Sequence, residues 1–309
     1  MFRVIQRKIT TLCRILYNSI WNRPIGNIYM FHMVKPKEDY IPGLDSIRVS
    51  PEFFERFLTE HSKKEEFISI DEVPERIRNH KRGDKPFAVV TFDDGYEDNY
   101  TYAYPIMKKM QVPFVIYVAV NLVNDHTPIW NYPLIMERII HKNDHLELGN
   151  GEIYSCATEQ EKNEAFIRLK MQMFSWPYDQ LHTRFLQMFS RYLTEDVFSV
   201  NTMTWEQIQE LAQEPLCTIG AHTMSHCRLM INDEKALLYE MGKSKEILEQ
   251  NIGKPVVHMS YPYGEASEMA QQLAPEIGYK TSPLAGGGSI REKDIEISMF
   301  ALKRIPVSE

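Results

Sequence analysis

Cysteine is scarce in this 309-residue chain: Cys13, Cys156, Cys217 and Cys227 are the only four, and none forms a Cys-x-x-Cys spacing. That density excludes a disulfide-stapled scaffold and predicts reduced thiols in a cytosolic setting. Long apolar runs are missing as well. No stretch reaches the roughly 18–20 apolar residues that a spanning helix needs. Basic charge is in deficit, with a formal net charge of -7, which argues against nucleic acid as a partner because phosphate binding needs a basic surface. There is no internal repeat and no low-complexity linker. What is present is ordinary for a soluble globular protein: 43% hydrophobic and 25% charged residues. The length suits one large α/β domain or two ordinary ones, either able to bury a sizeable core.

Acidic residues are absent from residues 1–23, which carry Arg3, Arg7, Lys8, Arg14 and Arg23. On a helical wheel Phe2, Ile5, Ile9, Leu12, Leu16 and Ile20 share one face, opposite Arg3, Arg7, Arg14 and Asn18. This predicts a basic amphipathic helix over residues 1–24, preceding a domain of residues 25–309. Two placements are open for it: on an anionic membrane surface, or packed against the domain itself. Arg14 interrupts the apolar run and no small-residue cleavage site follows, so a secretory signal is not expected. The chain is therefore expected to be cytoplasmic, with peripheral contact to the inner membrane surface through residues 1–23.

Along the domain, "NIYMFHMV" (residues 27–34) and "FAVVTF" (residues 87–92) read as buried strands, and "PFVIYVAV" as a third β-branched run. Ser50 as N-cap and Pro51 at the first helical position open a helix between them. "YAYPIMKKMQ" supplies another. Strand, helix, strand with short connections implies parallel pairing and an α/β core. Residues 126–200 differ, being rich in Met, Phe, Trp and charge with helical runs, and are expected to form a helical insertion. Beyond it Thr204 caps a helix, "CTIG" is a brief strand, and "KALLYEMGKSKEILEQNIG" is a long amphipathic helix stopped by Gly253.

Three of these apolar runs end in polar clusters. "TFDDGYEDN" places Asp93 and Asp94 side by side where a hydrophobic strand emerges. Adjacent carboxylates repel, and one should be raised in pKa unless a cation is present. A turn explains Asp-Asp-Gly equally well, so the stretch alone decides nothing. "AHTMSHC" follows the "CTIG" strand, with His222 and His226 four apart and able to face one way in a helical turn. Parallel α/β folds place their sites at such strand ends. Two imidazoles and one carboxylate leave a coordination position open, as catalytic zinc sites do. "HMSYPYGEAS" ends a further apolar run in a turn made rigid by Pro262 and permissive by Gly264.

"TFDDGYEDN", "HTMSH" and "SYPYG", in that order, resemble the first three motifs of the polysaccharide deacetylases, carbohydrate esterase family 4, in a Tyr-Pro-Tyr-Gly subtype. The resemblance covers roughly residues 25–309 with 126–200 as an insertion. It implies an α/β fold, a distorted (β/α) barrel, and hydrolysis of N-acetyl groups on amino sugars of a polysaccharide or lipid-linked glycan. It implies Asp93 as general base and Asp94, His222 and His226 as ligands of one divalent ion. Zinc comes first on ligand softness, with Co, Fe, Ni or Mn suited to the same set. Tyr263 matches the residue whose backbone N–H helps hold the oxyanion, and Tyr261 beside it is expected to bind substrate.

Three departures are visible. Ser260-Tyr261 stands where the family pattern commonly has an Arg, so the charge that orients the base is expected to be missing. The later Asp-Trp motif is absent. The last motif, usually Leu-x-His with that His as general acid, reads Leu302-Lys303-Arg304. His32, at the end of the first apolar strand, is our candidate substitute acid, with a core histidine as the alternative. Deformylation or cyclic imide hydrolysis on the same fold stays open, as does a non-catalytic carbohydrate-binding relic.

Overall fold

The computed structural model describes residues 22–36, 47–125, 130–194, 197 and 201–309. The basic segment expected over residues 1–24 lies almost wholly outside them. Among the described residues no helix is long and apolar enough to cross a membrane.

The centre is a mostly parallel sheet. Its principal strands are β1 (Pro24–Phe31), β2 (Phe87–Phe92), β3 (Phe114–Val118), β4 (Cys217–Ala221), β5 (Pro283–Gly287) and β6 (Leu302–Pro306), in the order β5-β6-β1-β2-β3-β4. Strands β1, β2 and β3 are buried almost end to end. Both faces are covered, so these strands read as continuous apolar runs rather than alternating ones. The register runs Phe31 against Phe92 and Phe92 against Ile116, which aligns the carboxyl ends of three neighbouring strands.

The sheet curls back on itself. Ala221 bridges Met259, and His258 bridges Thr281, both in parallel sense. The amide of Tyr261 then donates to the carbonyl of Pro283 at 3.3 Å. Residues 258–261 thereby link β4 to the start of β5 through isolated bridges instead of a continuous ladder. The result is a distorted (β/α) barrel.

Local chemistry explains the helices around it. In α1 (Pro51–Ser62) the Ser50 side chain accepts from the amide of Phe53, and Pro51 opens the first turn. The helix α2 (Tyr104–Met110) follows five π-helical residues, Asn99–Ala103. Thr204 and Gln207 form a reciprocal capping box ahead of Trp205–Gln213. The long amphipathic segment is continuous to Ile252 but interrupted by a π-helical stretch, Leu238–Lys243, and ends at Gly253 with φ 68°.

The region expected to be an insertion contains α3 (Tyr132–Lys142), α4 (Glu159–Phe174) and α5 (Tyr178–Phe189). These helices bury Ile135, Ile139, Leu169, Met173, Phe185 and Phe189 in a cluster of their own, separate from the barrel core.

Candidate active site

The carboxyl end of β2 delivers Asp93 and Asp94, and that of β4 delivers His222 and, one turn on, His226. All four are buried. Asp93 continues the β2 ladder, its amide donating to the carbonyl of Phe31 at 3.0 Å. Asp94 then turns left-handed at φ 75°, with Thr223 at 70°, His226 at 51° and Tyr263 at 59°. Such conformations cost a non-glycine residue about 1–3 kcal/mol each and persist only where the surroundings impose them. Here they turn side chains off neighbouring strand ends towards one point.

At that point the three ligand types converge. One ligand atom from each of Asp94, His222 and His226 lies within 4.8 Å of the other two. His226 Nε2 is 3.0 Å from Asp94 Oδ1, and His222 Nε2 is 3.4 Å from it. Asp94 Oδ1 nevertheless has no hydrogen-bond partner, although it is buried. A buried, orphaned carboxylate oxygen is costly unless something positive meets it.

The imidazole tautomers fit a cation. His222 Nδ1 lies 2.8 Å from the carbonyl of Ser260, which can only accept. Nδ1 therefore carries the proton and Nε2 presents a lone pair to the cluster. His226 Nδ1 faces the Tyr263 hydroxyl at 3.2 Å, again leaving Nε2 towards Asp94. The other carboxylate oxygen, Oδ2, accepts from Asn131 Nδ2 at 3.1 Å, and the same Nδ2 reaches the Tyr96 hydroxyl at 3.0 Å. Burial by itself would raise the Asp94 carboxyl. The neighbouring His226 and His222 imidazoles outweigh it and hold the group well below the usual carboxylate range.

Asp93 is held differently. Arg304, fully buried on β6, grips it bidentately, Nη1 to Oδ1 at 2.7 Å and Nη2 to Oδ2 at 2.8 Å. The guanidinium is fixed in turn by Nε donating to the carbonyl of Leu284 at 2.9 Å. The orienting charge expected to be missing is therefore present, supplied from the other end of the chain. For Asp93 too, burial pushes the carboxyl up, but Arg304 and His222 overcome it and the group is lowered overall. Arg304 has a signal in the sequence after all: it sits at an inward position of an alternating strand, where Leu302 and Arg304 are buried and Lys303 and Ile305 are not.

His32, just past β1, lines the same cavity as Asp93, Asp94, His222 and His226. Burial lowers its pKa despite the nearby carboxylates, so the imidazole is neutral at pH 7. Tyr263 and Gly264 form part of the wall. Gly264 has φ 69°, and a Cβ there would sit 2.3 Å from the backbone nitrogen of Ala285, so only glycine lets the turn approach β5. Tyr261 is a correction. Its ring is fully buried in the barrel core and its hydroxyl donates to the carbonyl of Phe300 at 3.2 Å. It does not line the cavity: the chain leaves its extended path after Pro262, with Tyr263 at φ 59°, and only Tyr263 turns into the cavity wall.

Two further residues escaped the sequence reading. Asn131, the N-cap of α3, steadies Asp94 from outside the strand ends. Glu240 is fully buried in the π-helical stretch and accepts from the amide of Ser225 at 2.9 Å and its hydroxyl at 2.6 Å. The Tyr178 hydroxyl of α5 also donates to it. Ser225 lies between the two histidines, so Glu240 anchors their loop. Its signal was a carboxylate on the apolar face of the helix, three residues after Leu237.

The cavity is about 450 Å³, a size usual for small-molecule sites. Its lining includes Asn131, Pro133, Leu134, Glu137, Asn163, Phe166 and Lys170 from the inserted helices.

A curled, mostly parallel sheet that gathers an Asp-His-His cluster and a clamped Asp at its strand ends defines an α/β barrel of the deacetylase kind. The chain belongs to the polysaccharide deacetylase family, whose model matches residues 80–282. It is 22% identical over 265 residues to YxkH of Bacillus subtilis (strain 168), which is named as a polysaccharide deacetylase; the match covers 85% of this chain and 67% of that protein. Among solved structures it resembles the Streptococcus pyogenes deacetylase PplD in complex with acetate, with TM-score 0.59, 19% identity and coverage of 93% and 94% of the two chains. IcaB from Ammonifex degensii gives TM-score 0.60, 16% identity and 93% coverage of each chain. Both structural likenesses establish the fold. Family and neighbours together support a carbohydrate deacetylase.

Proposed function

We propose that this protein is a metal-dependent hydrolase that removes N-acetyl groups from amino sugars of a polysaccharide or lipid-linked glycan. The observation that carries the reading is the orphaned Asp94 Oδ1 beside the Nε2 atoms of His222 and His226, next to an Asp93 that is ionised and clamped. Asp94, His222 and His226 would hold the ion, with zinc favoured by the two imidazoles and single carboxylate. When bound, such an ion polarises an amide carbonyl and makes water a better nucleophile at neutral pH.

The chain's own residues do the rest. Asp93 accepts a proton from the attacking water, and Arg304 keeps both its oxygens in one plane and its charge in place. The backbone at Tyr263 faces the developing oxyanion. The C–N bond then breaks and the departing amine needs a proton. His32 is our donor. It takes up a proton from solvent and passes it to the amine, while Asp93 returns the proton it accepted to solvent; a lowered pKa makes the imidazolium a stronger acid towards the amine. His32→Gln should lower kcat about 10²-fold with the ion retained; an unchanged kcat would move the acid elsewhere.

The decisive experiment measures acetate released from a panel of N-acetylated sugars, oligosaccharides and lipid-linked intermediates, before and after chelation. Chelator-sensitive acetate release supports the reading, whereas formate release, or no release from a metal-loaded protein, overturns it.

A further inference from the structure

Helix α4 of the inserted region crosses the mouth of the catalytic cavity with three residues on one stripe, Phe166, Lys170 and Phe174, spaced four apart. Residues at that spacing stack on one helix face. Phe166 and Lys170 line the cavity that holds Asp93, Asp94, His222 and His226. Phe174 packs edge-on against Tyr263, ring centroids 5.2 Å apart, in the wall that Tyr263 shares with His226. The Lys170 ammonium lies 5.6 Å from the Phe166 ring centre and 5.7 Å from that of Phe174. No carboxylate among the described residues pairs with it. Most of the basic residues lining this part of the molecule are spent: Arg304 on Asp93, and Arg228, beyond Phe174, on Glu265. Lys170 is not.

We propose that this stripe is an anion subsite, and that the acylated amino sugar taken by this chain carries a negative group, a phosphate or a carboxylate, close to the sugar. The two rings hold the ammonium by cation–π attraction, and the Phe166 ring, which lines the cavity, suits the C–H face of a pyranose. An ammonium in a partly enclosed, low-dielectric mouth attracts an anion more strongly than one in open solvent. Asp93 is neutralised by Arg304, and the ion expected at Asp94 outweighs that carboxylate, so the floor of the cavity does not repel an incoming anion. Glu137 also lines the cavity and makes an interaction of its own. A neutral acetylated sugar would leave Lys170 with nothing to meet.

The inference takes its substrate from the deacetylase reading, but its measurement does not depend on turnover. The full chain carrying Asp93→Asn, isolated from zinc-supplemented growth, is titrated by calorimetry with three probes. These are N-acetylglucosamine 1-phosphate, a disaccharide of N-acetylglucosamine with glucuronate, and neutral methyl N-acetylglucosaminide. At least one anionic probe should bind about tenfold or more tightly than the neutral one, and the tighter of the two identifies the anion. Lys170→Met, which keeps the apolar stem, should abolish that advantage; Lys170→Arg should keep it, and added salt should shrink it. Equal affinities for all three probes, or an advantage that survives Lys170→Met, overturn the proposal. Should no compound of the acetylated panel release acetate from the unmutated, metal-loaded chain while these affinities hold, the deacetylase reading falls and the anion subsite stands.

Discussion

The strand ends and helices α3–α5 meet at one cavity but are built on different terms. Asp93, Asp94, His222 and His226 are buried, sit on or just past parallel strands, and use left-handed backbone at two of the four positions. Helices α3–α5 bury their own apolar cluster; α4 offers the cavity the partly exposed Phe166 and Lys170, and the start of α3 offers the buried Asn131, Pro133 and Leu134. A ladder of parallel strands fixes a backbone to a fraction of an ångström, which proton transfer and ion binding need. A helix face can vary its side chains without disturbing that ladder. On the proposed function, the chemistry belongs to the strand ends and substrate choice to the face of α3–α5 that lines the cavity. Asn131 and Tyr178 reach from the second region into the first by hydrogen bonds, and Phe174 and Leu134 do so by packing.

The comparison breaks most visibly at the ligands. His222→Ala or Asp94→Ala should lose the ion altogether and all turnover with it, from about one ion per chain by elemental analysis. Full occupancy in either variant would mean that the strand-end cluster is not the metal site.

Next in size is the base. Asp93→Asn should keep the ion and fold while turnover falls ~10²–10⁴-fold, because only proton acceptance is removed. Loss of the ion in this variant would make Asp93 a ligand and merge two roles that the geometry separates.

Arg304 tests whether the clamp is structural, functional or both. Arg304→Met leaves Asp93 as an unpaired buried carboxylate, which costs about 3–5 kcal/mol where one partner of a buried pair is removed. Denaturant unfolding should show that loss. Arg304→Lys should recover part of it, since a single ammonium replaces the charge but not the two-pronged grip. A double variant, Asp93→Asn with Arg304→Met, should lose less stability than the sum of the two singles.

The smallest effect sharpens the boundary between the regions. Asn131→Ala removes the hydrogen bond to Asp94 Oδ2 without touching a ligand, and outer partners of this kind are typically worth 10–100-fold in metal affinity. Competition with a chromogenic chelator measures it. No change would confine the insertion to substrate contacts.

Much of this was legible in the chain. Buried runs such as "FAVVTF", the Ser50 and Thr204 caps and the stop at Gly253 are short-range signals, read from a few neighbouring residues. Asp93, Asp94, His222 and His226 were legible because each pair sits within five residues and follows an apolar run. Tyr261 and Tyr263 belong to one motif, yet only Tyr263 lines the cavity, since membership of a motif does not say which way a side chain points. The sequence by itself thus determined the parallel α/β core and the polar clusters at its strand ends, through periodicity and turn chemistry that act over a few residues. Tertiary structure alone decided that Arg304 clamps Asp93 across 211 positions, that Asn131 steadies Asp94 and that Glu240 anchors the histidine loop. Those partners are chosen by how the sheet curls and where helices pack, and a charge buried by that packing must find its counter-charge wherever in the chain it falls.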